Sequence, residues 1–261
     1  GVNSAGRPDA AMVRSILNEA SANNITVLDT SAAYGNAEEI LGANIDKGSS
    51  FKIVSKYPKC DKTVKDCFEQ SLKDLKVDKL YGYLLHHFIV YQNNPIMWEE
   101  MVQLKRTGKV DKIGFSLYTT DELERIINDN IEFDLIQIPY NIFNRQFEPY
   151  FPLLKEKGVE IHVRSTFLQG LFFRDRKNLP EKLQPLKPYL EQLDAYAQNQ
   201  RISIAELALN YNLQNKYIDG ILIGVDNVEQ LKTNISSIID LPINLSISVQ
   251  EKELLNPVNW K

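Results

Sequence analysis

Asp29 and Tyr34 fall within ITVLDTSAAYGNAEEILG, Lys56 closes the run FKIVSKY, and His86 closes LYGYLLHH. Each is an ionisable residue placed where an apolar run ends. In a parallel α/β barrel, side chains from the carboxyl ends of different strands converge on one mouth, so residues far apart in sequence can share a site. A phenol is a poor acid at neutral pH, with a reference pKa of ~10, and a nearby ammonium stabilises the phenolate and lowers that value. Lys56 is the candidate ammonium, and Asp29 the carboxylate that would keep it protonated and fixed. An imidazole such as His86 can orient a bound carbonyl oxygen by hydrogen bonding. Together the four make a proton donor for an alkoxide, which reduction of a carbonyl by hydride from a nicotinamide cofactor demands.

Each residue also has a plainer reading. Asp29, beside Thr30 and Ser31, can accept turn hydrogen bonds. Tyr34 before Gly35 can pack at a turn, and Lys56 at a strand end can be an ordinary solvated lysine. Strand side chains alternate, so one of His86 and His87 must point away from the barrel axis. His86 is the expected site residue because it lies nearer the regular strand. Placement of all four around three consecutive strands favours the chemical reading over four separate coincidences.

The elements that must carry these residues alternate throughout. Strand-like runs are ITVLDT (25–30), KIVSKY (52–57), LYGYLLHH (80–87), KIGFSL (112–117), FDLIQIPY (133–140), VEIHVRS (159–165) and GILIGV (220–225). Between them lie stretches with apolar residues three and four apart, such as AAMVRSILNEASANN, TVKDCFEQSLKDL, PIMWEEMVQLKRTGK and TDELERIINDN. Thr120 is expected to cap the last of these, Pro95 suits a first helical turn, and Gly108 and Gly158 follow helices as C-caps. LPEKLQPLKPYLEQLDAYAQNQRISIAELALNYNLQN holds two helical patterns before the last strand, and SVQEKELL reads as a short extra helix.

Strict alternation argues for a parallel sheet, and the length favours a closed (β/α)8 TIM barrel over an open doubly wound sheet. Seven strands are visible where eight are expected, because the chain opens with GVNSAGRPDAAM, a loop running into a helix. The expected missing strand is the N-terminal one, supplied by residues before Gly1, since an unpaired parallel edge is costly. No Pro/Gly/Ser-rich linker divides residues 1–261, so a single barrel domain is expected.

At 261 residues, with 43% hydrophobic and 25% charged residues, the composition is that of a globular chain able to bury a sizeable core. A formal charge of −4 without a basic cluster gives no footprint for nucleic acid. Cys60 and Cys67 form a C-x6-C spacing that fits neither zinc sites nor a C-x-x-C redox pair, so structural or surface thiols are expected. No apolar stretch approaches the ~18 residues of a membrane helix and no signal segment opens the chain, so a cytoplasmic location with no membrane partner is the default.

At these residues the sequence resembles the aldo-keto reductase family. LDTSAAYGNAEEILG matches the D-T-A-x-x-Y-G-x-[SA]-E-x-x-L-G signature of that family, and VSKY, YLLHH, GKVDKIGFS, IQIPYNIFNR, LQGLF and a final G-x-x-x-x-x-Q-L-x-x-N follow in order. The resemblance implies a (β/α)8 barrel that reduces an aldehyde or ketone with NADPH, with Tyr34 as acid, Lys56 and Asp29 tuning it, and His86 orienting a small carbonyl substrate. Neither G-x-G-x-x-G nor a P-loop is present, so the dinucleotide must bind outside those motifs. Barrels commonly hold phosphates in the loops after strands seven and eight, where this chain has RSTFLQGLF and GVDNVEQLKTN.

By resemblance, Ser165, Phe167 and Gly170 would follow the pyrophosphate, Gly224, Gln230 and Asn234 would surround the adenosine half, and Ser116 and Gln137 would hold the carboxamide. Asn227 with Gln230 also reads as a helix-capping pair that needs no ligand. Three residues depart from the family pattern. Leu117 stands where an asparagine commonly follows the serine, Arg164 replaces the ring that stacks on nicotinamide, and Asp226 would repel a 2′-phosphate. NADP(H) is the favoured cofactor and NAD(H) the alternative. Two rival readings are an aldolase-type Schiff base on Lys56, opposed by Asp29, and a cofactor-binding regulatory or scaffold protein with little turnover. Phe88, Trp98, Tyr118 and Phe143 would either line an apolar mouth or pack barrel against helix. Oligomeric state leaves no mark in the sequence.

Overall fold

The computed structural model describes residues 8–46 and 48–260. Seven strands form one parallel sheet in sequence order: β1 (Val27–Asp29), β2 (Lys52–Tyr57), β3 (Leu80–Leu85), β4 (Val110–Ser116), β5 (Leu135–Pro139), β6 (Glu160–Arg164) and β7 (Gly220–Ile221). The helices are α1 (Ala10–Ala22), α2 (Ala37–Asn44), α3 (Val64–Leu75), α4 (Phe88–Asn93), α5 (Met97–Arg106), α6 (Thr120–Asn128), α7 (Phe151–Glu156), α8 (Lys187–Gln200), α9 (Ile204–Leu213) and α10 (Val228–Ser236). The sheet curls, so that Gln137 on β5 hydrogen-bonds Asp29 on β1 across its concave side at 2.8 Å. This is the α/β barrel architecture that the alternating pattern dictates. The strand expected before Gly1 lies outside the described residues.

Side chains of alternate parity make two apolar layers. Inside the curl, Val54, Leu84 and Leu135 pack together. Gly114 is required there, because a Cβ would stand 1.6 Å from the Leu135 carbonyl oxygen. Outside, Tyr57, Tyr83, Phe115, Ile136 and Val163 meet the helices in a continuous buried core. At the amino ends of the strands, Glu160 accepts hydrogen bonds from Tyr81 and Lys112 and contacts His162 at 2.6 Å.

Local signals fixed most helix ends, with some differences. Thr119, not Thr120, caps α6, in a full capping box with Glu122, because Thr119 keeps the extended backbone that an N-cap needs. Gly108 and Gly158 take positive φ, 75° and 74°, after α5 and α7. The last strand is two residues long rather than six, and SVQEKELL contributes only a 3₁₀ turn at Lys252–Leu255. No described helix is long and apolar enough to cross a membrane.

Candidate active site

Asp29 ends β1 with its side chain inside the curl, and the chain then turns. The Tyr34 N–H bonds the Ser31 carbonyl at 2.9 Å, and Gly35 at φ 67° allows the reversal into α2. That turn brings Tyr34 back over the barrel mouth, where it is half-exposed. The rest of the signature is structural. Glu38 on α2 is buried and accepts hydrogen bonds from Ser55 on the outer face of β2 and from Ser71 on α3, the latter at 3.0 Å. Burial raises the Glu38 pKa, opposed by those two hydroxyls. Gly42 lets α2 touch α3, since a Cβ there would lie 2.2 Å from the Asp74 carbonyl oxygen.

Lys56 is fully buried, and its Nζ lies 2.7 Å from both Asp29 carboxylate oxygens and 2.8 Å from the Thr30 carbonyl. Three acceptors for three ammonium hydrogens satisfy the group completely. Burial lowers the Lys56 pKa and Asp29 pushes back. The ammonium stands over the Tyr34 ring, 5.3 Å from its centroid, rather than at the hydroxyl. The Tyr34 pKa is accordingly pushed up to about 12, first by burial and then by Asp29, with Arg164 acting in the opposite direction. This differs from the expected lowering by Lys56. Desolvation decides, and the Asp29 carboxylate adds to it. Tyr34 therefore holds its proton at neutral pH.

His86 is buried beside Tyr34, with ring centroids 5.4 Å apart in an edge-on contact. Its Nδ1 lies 3.0 Å from Ser31 Oγ, and that oxygen accepts the Ala33 N–H at 3.1 Å. The Ser31 hydroxyl, with one hydrogen to give and two lone pairs, partners Nδ1 in either imidazole tautomer and holds the ring in place. Burial, then Lys56, His87 and Arg164, drive the His86 pKa down to about 3, so the ring is a neutral donor. Sequence reasoning missed Ser31 as the residue that holds the His86 ring. A serine two residues after the aspartate signals only a local turn.

Contrary to the alternation expected of strand side chains, His87 does not point away from His86: both lie past the end of β3, and His87 stacks on His86 at 4.6 Å and faces Tyr118. The Arg164 guanidinium lies 4.2 Å over the Tyr118 ring and donates to the Leu117 carbonyl at 2.9 Å. These flat groups form one wall of the mouth. Of the four aromatics with two readings, Trp98 stacks on Phe115 at 4.5 Å in the outer core, Phe88 and Phe143 are buried against Tyr91 and Phe172, and Tyr118 alone faces the site. The two thiols are neighbours, Cys60 exposed and Cys67 buried with sulfurs 3.4 Å apart, a proximity that C-x6-C spacing did not signal. Burial raises the Cys67 thiol pKa to about 12.

Ser165, the residue after Arg164, begins the lining of a cavity of about 840 Å³. Ser165, Phe167, Gly170, Gly224, Gln230 and Asn234 all line it. Ser116, Gln137 and Arg164 do not; Ser116 and Gln137 are paired across β4 and β5 at the mouth, where Gln137 donates to Asp29. Positive φ values at Ser165 (66°), Leu168 (46°), Gln169 (50°) and Gly170 (80°) bend the loop around the cavity. Such strain, about 1–3 kcal/mol per non-glycine residue, persists where the surroundings enforce it and clusters at ligand sites. Asn141, also missed, fixes that loop by donating to the Ser165 carbonyl at 2.8 Å while accepting the Phe143 and Asn144 N–H groups. The volume and its walls, apolar side chains with interspersed polar groups and the glycines Gly170 and Gly224, fit an elongated dinucleotide.

A sequence model of the aldo/keto reductase family matches residues 1–247. The chain belongs to that family. L-galactose dehydrogenase of Arabidopsis thaliana is 26% identical to this family member over 243 residues, covering 83% of the chain and 75% of the relative. An uncharacterized oxidoreductase of Bacillus subtilis (strain 168) is 25% identical over 250 residues, covering 85% and 81%. The fold matches the holo form of an aldo-keto reductase from Bacillus halodurans with a TM-score of 0.74 at 24% identity, covering 95% of this chain and 86% of that one. Aldo-keto reductases are oxidoreductases that act on carbonyls with nicotinamide cofactors.

Proposed function

We propose that this aldo-keto reductase reduces an aldehyde or ketone to an alcohol, with Tyr34 as proton donor. The reading is carried by one observation: Asp29, Tyr34, Lys56 and His86, from three strands and a turn, share a single mouth that adjoins a dinucleotide-sized cavity. A bound reduced nicotinamide dinucleotide, NADP(H) by resemblance or NAD(H), supplies the hydride. His86 Nε2–H holds the substrate oxygen, and the Tyr34 hydroxyl delivers a proton to that oxygen as negative charge develops there. Although its pKa is raised, the phenol remains a stronger acid than an alcohol, so the transfer runs downhill. Lys56, fixed by Asp29 and Thr30, sets the field beneath the phenol. Ser116 and Gln137 would hold the carboxamide, and Ser165, Phe167, Gly170, Gly224, Gln230 and Asn234 the rest of the dinucleotide.

The Schiff-base alternative meets a geometric obstacle. A lysine nucleophile needs a free lone pair, and Lys56 Nζ is enclosed by three acceptors in a fully buried position. Tyr34→Phe tests the proposal: carbonyl reduction should fall by about 10²–10⁴-fold while dinucleotide binding, read by nicotinamide fluorescence, persists. Full activity in that variant would remove Tyr34 from the role.

A further inference from the structure

We propose that the cavity selects NADH over NADPH through the charge of its walls, an inference that rests on the dinucleotide reading above. Among the described residues that line it, none is lysine, arginine or histidine, and Glu229 is a carboxylate. The 2′-phosphate of NADPH adds close to two negative charges at neutral pH, and proteins that hold such a group supply a guanidinium or ammonium. Two basic residues nearby in sequence are engaged elsewhere. Lys232 on α10 reaches Glu19 on α1 at 3.7 Å, and Arg164 is committed to the Leu117 carbonyl and the Tyr118 ring.

The amino end of α10 is the remaining place where an anion would find donors. That end is already capped. Asn227 Oδ1 accepts the Gln230 N–H and Gln230 Oε1 accepts the Asp226 N–H, each at 2.8 Å. Glu229 occupies the first turn, so the favourable position for negative charge is filled by the protein itself. A phosphate arriving there would meet the Gln230 and Asp226 amides already bonded and a carboxylate in the first turn, with Asp226 in the adjoining turn. A ribose 2′-hydroxyl has the opposite requirement, since it donates a hydrogen bond that a carboxylate accepts, as acidic residues do in other dinucleotide sites.

The test is fluorescence titration of the full chain with NADH and with NADPH at low ionic strength. NADH should bind more tightly by roughly tenfold, and added salt should narrow the gap because the discrimination is Coulombic. Glu229 is exposed, so its replacement leaves the core untouched. Glu229→Gln should shrink the ratio and Glu229→Arg should reverse it, with circular dichroism confirming an unchanged fold. Equal or tighter binding of NADPH by the unaltered protein overturns the inference and leaves the reductase reading intact. Binding of neither overturns both.

Discussion

Asp29→Asn keeps the shape of the side chain and removes the charge that faces Lys56. The ammonium is fully buried, with both carboxylate oxygens at 2.7 Å. Taking one partner from a buried ion pair leaves an uncompensated charge, at a typical cost of about 3–5 kcal/mol. The Asp29 side chain keeps 18% of its exposure, so water reaches one flank. The lower end, about 3 kcal/mol, is therefore expected. The variant escapes part of this cost by releasing the Lys56 proton. Burial already lowers that pKa and only Asp29 is the main opposing influence, so without it the folded value drops further below the unfolded value of ~10.4.

Between those two values the unfolded chain binds the proton and the folded chain does not. Stability of the variant consequently rises with pH across that window, by up to about 1.4 kcal/mol per pH unit. Urea unfolding at pH 7.0 and 9.5 should show Asp29→Asn losing about 3 kcal/mol at the lower pH and regaining part of it at the higher. Adding Lys56→Met should restore much of the loss, with a coupling energy of at least about 2 kcal/mol in the double-mutant cycle. A loss under about 1 kcal/mol that ignores pH would refute the electrostatic account of Lys56.

His86 makes a second pH prediction. Its folded pKa of about 3 lies below the unfolded ~6.5, so the unfolded chain binds the proton first as pH falls. The stabilisation is complete above about pH 6.5 and declines towards pH 3, by up to roughly 4 kcal/mol. Unfolding midpoints at pH 7.0, 5.5 and 4.0 should fall more steeply for the natural chain than for His86→Asn; parallel curves would contradict the burial argument. Gly42→Ala should destabilise by about 1–3 kcal/mol, because its methyl would drive α2 off the backbone of α3. An unchanged melting temperature would show that the helices yield freely there.

The alternation of β-branched and amphipathic runs was enough to determine a parallel α/β fold, since each element must bury its own apolar face. The order of Asp29, Tyr34, Lys56 and His86 along the strands was legible for the same reason: pleat parity and strand ends are local properties. Helix caps were legible to within one residue, as Thr119 in place of Thr120 shows. Protonation was not. Gln137 reaches Asp29 across 108 positions of sequence, and Ser31 reaches His86 across 55. Desolvation outweighs the expected influence of Lys56 on Tyr34, and it depends on how much protein surrounds each group. The sequence alone named the ionisable groups and the strands that carry them; only tertiary packing decided which proton each one keeps, because pKa values follow burial and distances that no local pattern records.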